Sequence, residues 1–338
     1  METILVLLHT ESDGALAKSA FETIGAAQAL GLSFVLGLVG GSVQEAANQV
    51  AASGAAQFLA VEGADFATPR YGSDAAAVEA LVKASGATIV LAPGTSRWNR
   101  VLSGAAQRLG GRVDTHVTGL AAENGALSVS RWYYRQRMEA QLSRTQRPWI
   151  VVIDPGSQAV WQGESGAATL EAVAVALPDT AKRTCVTGIR TPAADAQTIR
   201  PDADLLFVAG AGWTKKQADG QTHVPDAEVA IRSFLNLTRA SLGSSKSLVD
   251  IGGEGQAVLS FLTHLNQIGQ TGATPRHPKG LSTCCHGEEP HAVGWRFIKE
   301  RRAISLDANC GWARGKADVL YVADAFAVMA KVNELLSK

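Results

Sequence analysis

The sequence predicts an α/β chain of two doubly wound parallel-sheet domains, and three observations predict it. Short apolar runs of strand length recur along the chain. Ala- and Leu-rich stretches at helical spacing separate them, and a Pro-, Ala- and Asp-rich segment splits the series in two. At 338 residues each half is long enough to bury a core of its own.

The first half carries the apolar runs ILVLLH (4–9), FVLGLV (34–39), QFLAV (57–61), TIVLA (88–92) and WIVVI (149–153). Runs this short and this continuous suit parallel strands buried on both faces. Between them, Asp13–Leu30, Val43–Ala52, Asp74–Ser85 and Asn99–Leu109 have helical spacing, with Ser12 and Ser73 placed to cap two of them. Alternation of this kind implies right-handed crossovers and a sheet covered on both sides. Ala121 to Arg147 breaks the rhythm, and alternating residues about Asn124-Gly125 predict an antiparallel edge hairpin. Its RWYYRQR stretch (131–137) has the residue types of a binding surface as well as those of a plain edge strand.

GIRTPAADAQTIRPDADL (188–205) reads as a boundary, giving a domain over 1–190, a linker over 191–201 and a domain over 202–338. The second domain is expected to open with a strand, Leu205–Val208, and the turn Gly210-Ala211-Gly212. A helix over Asp226–Leu242 follows, then KSLVDIGG, QAVLSFLTHLNQ, RAISLD (302–307), DVLYVAD (318–324) and a terminal helix.

Hydrophobic residues make up 46% of the chain and charged residues 18%, and 31 basic side chains cancel 31 acidic ones. No electrostatic footprint argues for nucleic acid or an anionic membrane. No apolar run approaches the roughly 20 residues of a membrane span. Met1-Glu2-Thr3 leads into ILVLLH without the marks of a signal peptide, so a cytoplasmic location is expected. Cys185, Cys284, Cys285 and Cys310 form neither a disulfide framework nor a Cys-x-x-Cys pair. The Cys284-Cys285-His286 run, with His277, His291 and Cys310, invites a metal reading. Adjacent thiols diverge, however, and no metal is expected. His9 and His116 read as hydrogen-bonded core or turn histidines.

Three segments could hold a ligand. In NQIGQTGATPRHP (266–278), glycines beside a hydroxyl would let backbone N–H groups approach a phosphate or a carbonyl-rich ring, as at Gly269, Gln270, Thr271 and Gly272; a structural turn has the same composition. The Gly210-Ala211-Gly212 turn lacks the third glycine of a dinucleotide fingerprint, with Thr214 or Lys215 in its place. Ser244, Ser245 and Lys246 offer hydroxyls and a cation for a diphosphate, or form a solvated loop.

In the order LLFVAGAG, LGSSKSLVD, IGQTG, HGEEPHAVG and VADAF the chain resembles the alpha subunit of the electron transfer flavoproteins. IVLAPGTSRWNRVLSGAAQRLGGRVDTHVTGL (89–120) is similar to that family's first domain, so the resemblance covers nearly the whole chain. It implies a Rossmann-like second domain that binds FAD noncovalently and a first domain that meets a beta subunit in a heterodimer. The pair would carry single electrons from a flavoprotein dehydrogenase to an iron–sulfur or quinone-linked acceptor, with no catalytic residue of its own.

The same resemblance implies that Ile268, Gly269, Gln270 and Thr271 line the flavin beside Gly272, with Thr271 at the ring's N5 edge. Ser245 and Lys246 stand where the family has a Ser-Arg pair on the cofactor, and His291 where a histidine approaches the C2 carbonyl. Gly210, Gly212, Trp213, His286, Gly287, Asn309 and Asp324 complete the implied contacts. The departures matter as well: the family's ring-contacting arginine is Gly212 here, its serine His286 and its glutamine Pro290. Losing a cation beside a partly buried anion costs on the order of 1–4 kcal/mol. Lys246, His286 or His291 is therefore expected to make up part of the loss, a histidine in a pH-dependent way. Two alternatives stay open. One is a fold relative that has lost FAD and acts as a structural partner. The other is a thiol-dependent enzyme using Cys284 or Cys285, one of which could also bond a flavin covalently.

Overall fold

The computed structural model describes residues 2–123, 126–134, 138–188, 199–200, 203–250, 257–268, 275–283, 298–310, 313–314 and 317–338. The chain divides into two units, Met1–Arg190 and Thr191–Lys338. Of the expected linker over 191–201, only 199–200 lie within the described residues.

In the first unit the apolar runs become β1 (Ile4–His9), β2 (Phe34–Gly40), β3 (Phe58–Glu62) and β4 (Ile89–Pro93). They are followed by β5 (Arg112–Glu123), β6 (Ala126–Tyr133), β7 (Met138–Leu142), β8 (Trp149–Ile153) and β9 (Leu170–Ala172). The sheet order is β7-β6-β5-β8-β4-β1-β2-β3-β9, parallel from β5 to β9, with β6 and β7 added antiparallel at one end. The hairpin thus forms where alternation replaces continuous apolar sequence. β1, β4 and β8 are buried at every residue, which is why their runs show no polar alternation.

Among the described residues, four helices cover this sheet: α1 (Lys18–Ala29), α2 (Gln44–Gln49), α3 (Tyr71–Ser85) and α4 (Ser96–Arg108). Ile4, Val6 and Leu8 face one apolar layer with Ile24 and Ala27 of α1. Leu5 and Leu7 face the other, with Val78 and Leu81 of α3 and Trp98 and Leu102 of α4.

Helix starts differ from expectation. α1 begins at Lys18 and not Asp13, because the Asp13 carboxylate accepts the Ala15 N–H (3.0 Å) and Gly14 turns at φ 83°. Ser12 therefore caps nothing. Ser73 lies buried inside α3 and does not cap it. α4 starts at Ser96, earlier than Asn99, because Thr95 Oγ1 accepts the Trp98 N–H at 3.2 Å. α2 is shorter than Val43–Ala52 and ends in a 3₁₀ turn over Ala51–Ser53.

After β8 the chain straps the sheet. Trp161 stacks on Phe21 of α1 at 6.4 Å, and Ala159 runs so close to α1 that a Cβ on Gly25 would stand 2.2 Å from its carbonyl oxygen. The strap then supplies β9 beside β3 and reaches α3, where Ala181 O would lie 2.3 Å from a Cβ on Gly72.

The second unit contains β10 (Leu205–Ala209), β11 (Ser241–Ser244), β12 (Lys279–Thr283), β13 (Glu300–Ser305) and β14 (Val319–Val322), all parallel, in the order β11-β10-β12-β13-β14. Its helices among the described residues are α5 (Val224–Thr238), α6 (Lys246–Asp250) and α7 (Ala325–Leu336). α5 stops at Thr238, short of Leu242, because Arg239 takes a left-handed conformation (φ 52°) and Ser241 onward pairs with β10. Both units are doubly wound α/β, as the alternation predicts. Among the described residues no helix is long and apolar enough to cross a membrane.

Candidate functional site

Counted within the second unit, the strands run 2-1-3-4-5, so the order reverses between β10 and β12. Open sheets accept ligands outside the carboxyl ends of their strands at such a reversal. Here β10 and β12 leave side by side. The Gly210 N–H donates to the Thr283 carbonyl (3.0 Å), and the Ser245 N–H to the Ala209 carbonyl (3.0 Å).

The eight described candidates all lie on this carboxyl edge. Gly210 and Gly212 sit in the turn after β10, and the buried Gly212 carbonyl accepts from the Gln217 side-chain amide at 3.0 Å. Ser245 follows β11, and its Oγ accepts the Leu248 N–H at 3.3 Å. Ile268 enters from a parallel bridge between Ser244 and Gln267, its N–H donating to the Ser244 carbonyl at 3.1 Å. Asn309 lies in the connection from β13 and accepts from Arg314 at 2.6 Å. Asp324 caps α7, accepting the Phe326 N–H at 2.7 Å. At about 4.8 Å per strand, Asp324 stands some 14 Å along the edge from Gly210, so only an elongated ligand would meet both.

Two of these side chains are committed elsewhere. Trp213 is fully buried, meets Phe326 edge-on at 4.6 Å and donates its indole N–H to Thr283 Oγ1 at 2.7 Å, which makes it a core residue under the turn. Lys246 pairs with Asp250 one helical turn on, and His264 shares that carboxylate. The Lys246 hydrogen bond holds the Asp250 carboxyl below its usual range despite some desolvation. Lys246 therefore does not present an uncompensated charge. Gly269, Gln270, Thr271, Gly272, His286, Gly287 and His291, with Cys284 and Cys285, lie outside the described residues.

Thr283 was not singled out in the sequence, yet it joins β10, β12 and Trp213: it receives the indole N–H and donates to the Val208 carbonyl at 3.2 Å. Only the register that puts Ala209 beside Thr283 reveals it. Ser244 is wholly buried at the end of β11, and its Oγ has no hydrogen-bond partner among the described residues. Buried orphan hydroxyls are rare, and a ligand oxygen at this edge would satisfy one. Glycines, hydroxyls and the absence of a buried charge among the described edge residues fit close approach of a dinucleotide better than acid–base chemistry. A cavity of about 530 Å³ near α7, lined by Leu281, Ile304, Tyr321 and Val328, also takes in Lys279 and Glu300. Those two residues begin β12 and β13, so it reaches toward the opposite end of the sheet.

The first sheet reverses between β1 and β4. There His9, 6% exposed, lies at the end of β1, with Nε2 2.9 Å from Thr95 Oγ1 and Nδ1 3.2 Å from the Thr10 carbonyl oxygen. A carbonyl only accepts, so Nδ1 carries the proton and the Thr95 hydroxyl donates to Nε2. Burial lowers the His9 pKa first of all; the Thr10 hydrogen bond opposes it and the Arg97 charge adds to it. His9 is held in its neutral form.

Residues 4–180, more than half of the chain, match the family model described as the electron transfer flavoprotein domain. No curated protein matches the chain. Among solved structures, the glycosyltransferase SnogD from Streptomyces nogalater is similar at 10% identity over 100% of this chain and 96% of that one. The TM-score is 0.24, too low to show a shared fold.

Proposed function

Because the chain belongs to the electron transfer flavoprotein family, we propose that it is the alpha subunit of a heterodimeric electron carrier that holds FAD at the carboxyl edge of its second sheet. It takes single electrons from a flavoprotein dehydrogenase and passes them to an iron–sulfur or quinone-linked acceptor. The observation that carries this reading is the reversal between β10 and β12, with Gly210, Ser244, Ser245 and Ile268 gathered at its mouth.

Bound FAD supplies the one-electron chemistry; the chain supplies position and potential. Gly210 and Gly212 keep side chains out of the β10 exit, and Ser244 and Ser245 offer hydroxyls beside it. Gly212 brings no cation in place of the family's arginine, and Lys246 is answered by Asp250. The proposal therefore assigns the compensating charge to His286 or His291.

The test is an absorption spectrum of the chain co-expressed with its beta subunit, with flavin counted per pair. One FAD per pair is the expected result. A colourless pair overturns the carrier reading and favours a structural partner that has lost the cofactor.

A further inference from the structure

Parallel strands covered on both faces read as continuous apolar runs. β13 departs from that rule, although it lies inside its sheet between β12 and β14. Its residues alternate between the two faces. Ala303 belongs to one apolar layer, with Leu206 and Val208, and Ile304 to the other, with Met329 of α7. Glu300 and Arg302 therefore share the α7 side with Ile304. In register, Arg302 stands between Leu281 of β12 and Val319 of β14. A guanidinium interrupts an apolar row.

α7 leaves room above that row. The helix leans on α5, where Asn333 Nδ2 donates to the Ala230 carbonyl at 2.9 Å, and its Ala325 and Met329 are buried. Val328 and Val332 instead line the cavity of about 530 Å³ that α7 forms with Leu281, Ile304 and Tyr321. Small-molecule sites have this size and this mostly apolar lining, with a few polar groups converging on one part. From Glu300 to Ile304 the floor runs along β13 for about 13 Å, so the space is elongated. An apolar body that fills it supplies contacts its lining lacks.

The charged groups select the head of such a molecule. Lys279 and Glu300 are register neighbours on β12 and β13, opposite charges side by side. Arg302 lies further along the strand, and among the described residues no ion pair or side-chain hydrogen bond reaches it. Acidic groups on the flanking segments are occupied: Asp318 receives Arg301, Glu334 answers Lys331 and Lys338, and Asp204 is engaged too. The described lining thus holds two cations, Lys279 and Arg302, against the single anion Glu300.

We propose that this cavity binds an elongated amphipathic carboxylate, with its aliphatic body between α7 and the β12–β14 face and its head on Arg302. A guanidinium offers a carboxylate two parallel charge-assisted hydrogen bonds. Lys279, Glu300 and Arg302 lie toward the start of β12 and β13, away from the carboxyl edge proposed for FAD, and the site does not depend on that reading.

The test is calorimetric titration of the full-length chain with octanoate, 1-octanol and octylammonium, for wild type, Arg302→Gln and Val332→Trp. Arg302 is exposed, and an unchanged urea midpoint verifies that each variant keeps the fold. Octanoate is expected to bind wild type saturably, about 10-fold more tightly than 1-octanol, and Arg302→Gln to remove that difference. Val332→Trp fills the cavity and is expected to abolish binding; if it does not fold, Val328→Phe takes its place. Wild type that takes up no octanoate overturns the proposal, and so does a folded filling variant that binds it as tightly as wild type. Binding of 1-octanol or octylammonium as tight as that of octanoate overturns the carboxylate. Displacement of octanoate by an equimolar beta subunit overturns the small-molecule assignment, because a segment of the partner then fills the space.

Discussion

Asp74 and Arg97 show how much a single buried pair decides. Arg97 donates from Nη2 to Asp74 Oδ1 at 2.6 Å, from Nε to Oδ2 at 3.0 Å, and again from Nη2 to the Phe66 carbonyl at 2.7 Å. The exposures are 3% and 0%. Asp74→Ala leaves a guanidinium uncompensated in the core, so we expect a loss of about 3–5 kcal/mol in urea unfolding, much of it recovered when Arg97→Met is added. A loss below about 1 kcal/mol, as at an exposed pair, would refute this.

His9 supplies a prediction in pH. Its folded pKa lies below the ordinary 6.5, so the unfolded chain takes up the proton first. Its contribution to stability is complete above about 6.5 and is lost as pH falls toward the depressed folded value. The midpoint of wild type is expected to drop from pH 7.5 to 5.5 more than that of His9→Gln; equal drops would sink the idea. His223 in the second unit has the opposite sign. Asp219 raises its pKa, so its contribution is present below 6.5 and lost as pH rises through the higher value, which is why the comparison must be made against the variant. His9 was legible as a core histidine. Asp74–Arg97 was not, because the partners come from separate helices that only packing brings together.

At the scale of elements, the strap over α1 decides a sign that helix propensity alone gets wrong. Gly25 lies inside α1, where Ala would ordinarily stabilise by about 1 kcal/mol. With Ala159 O 2.2 Å from the added Cβ, the strap must shift, and Gly25→Ala is expected to destabilise the first unit by about 1–3 kcal/mol instead. A raised melting temperature would show that the strap does not bind α1. The strap segment was unreadable in the sequence because it has neither period; it is held by Trp161 on Phe21 and by the short β9 pairing. The apolar strands of the first unit, β10 and the β5–β7 hairpin were readable, since continuous burial and alternation leave different patterns, whereas the short β9, β11 and β12 were not. Helix starts were displaced wherever a local side-chain bond, such as Asp13 to Ala15, competed with the helix.

At the scale of the whole molecule, the described residues of both apolar layers of the nine-stranded sheet belong to the first unit. Residues 1–190 expressed alone are therefore expected to unfold in one cooperative step, followed by the fluorescence of the buried Trp98 and Trp149. A gradual transition would refute the self-sufficient core. By itself, the sequence determined the alternation of strands and helices in two α/β halves, because burial on both faces imposes a local pattern that residues carry individually. The tertiary structure alone decided where each strand order reverses, that Trp213 and Lys246 are already engaged, that His9 is buried against Thr95 and that β7 ends the sheet among the described residues. Those outcomes depend on pairings between residues far apart in the chain, and no local run of amino acids encodes which distant partner it will meet.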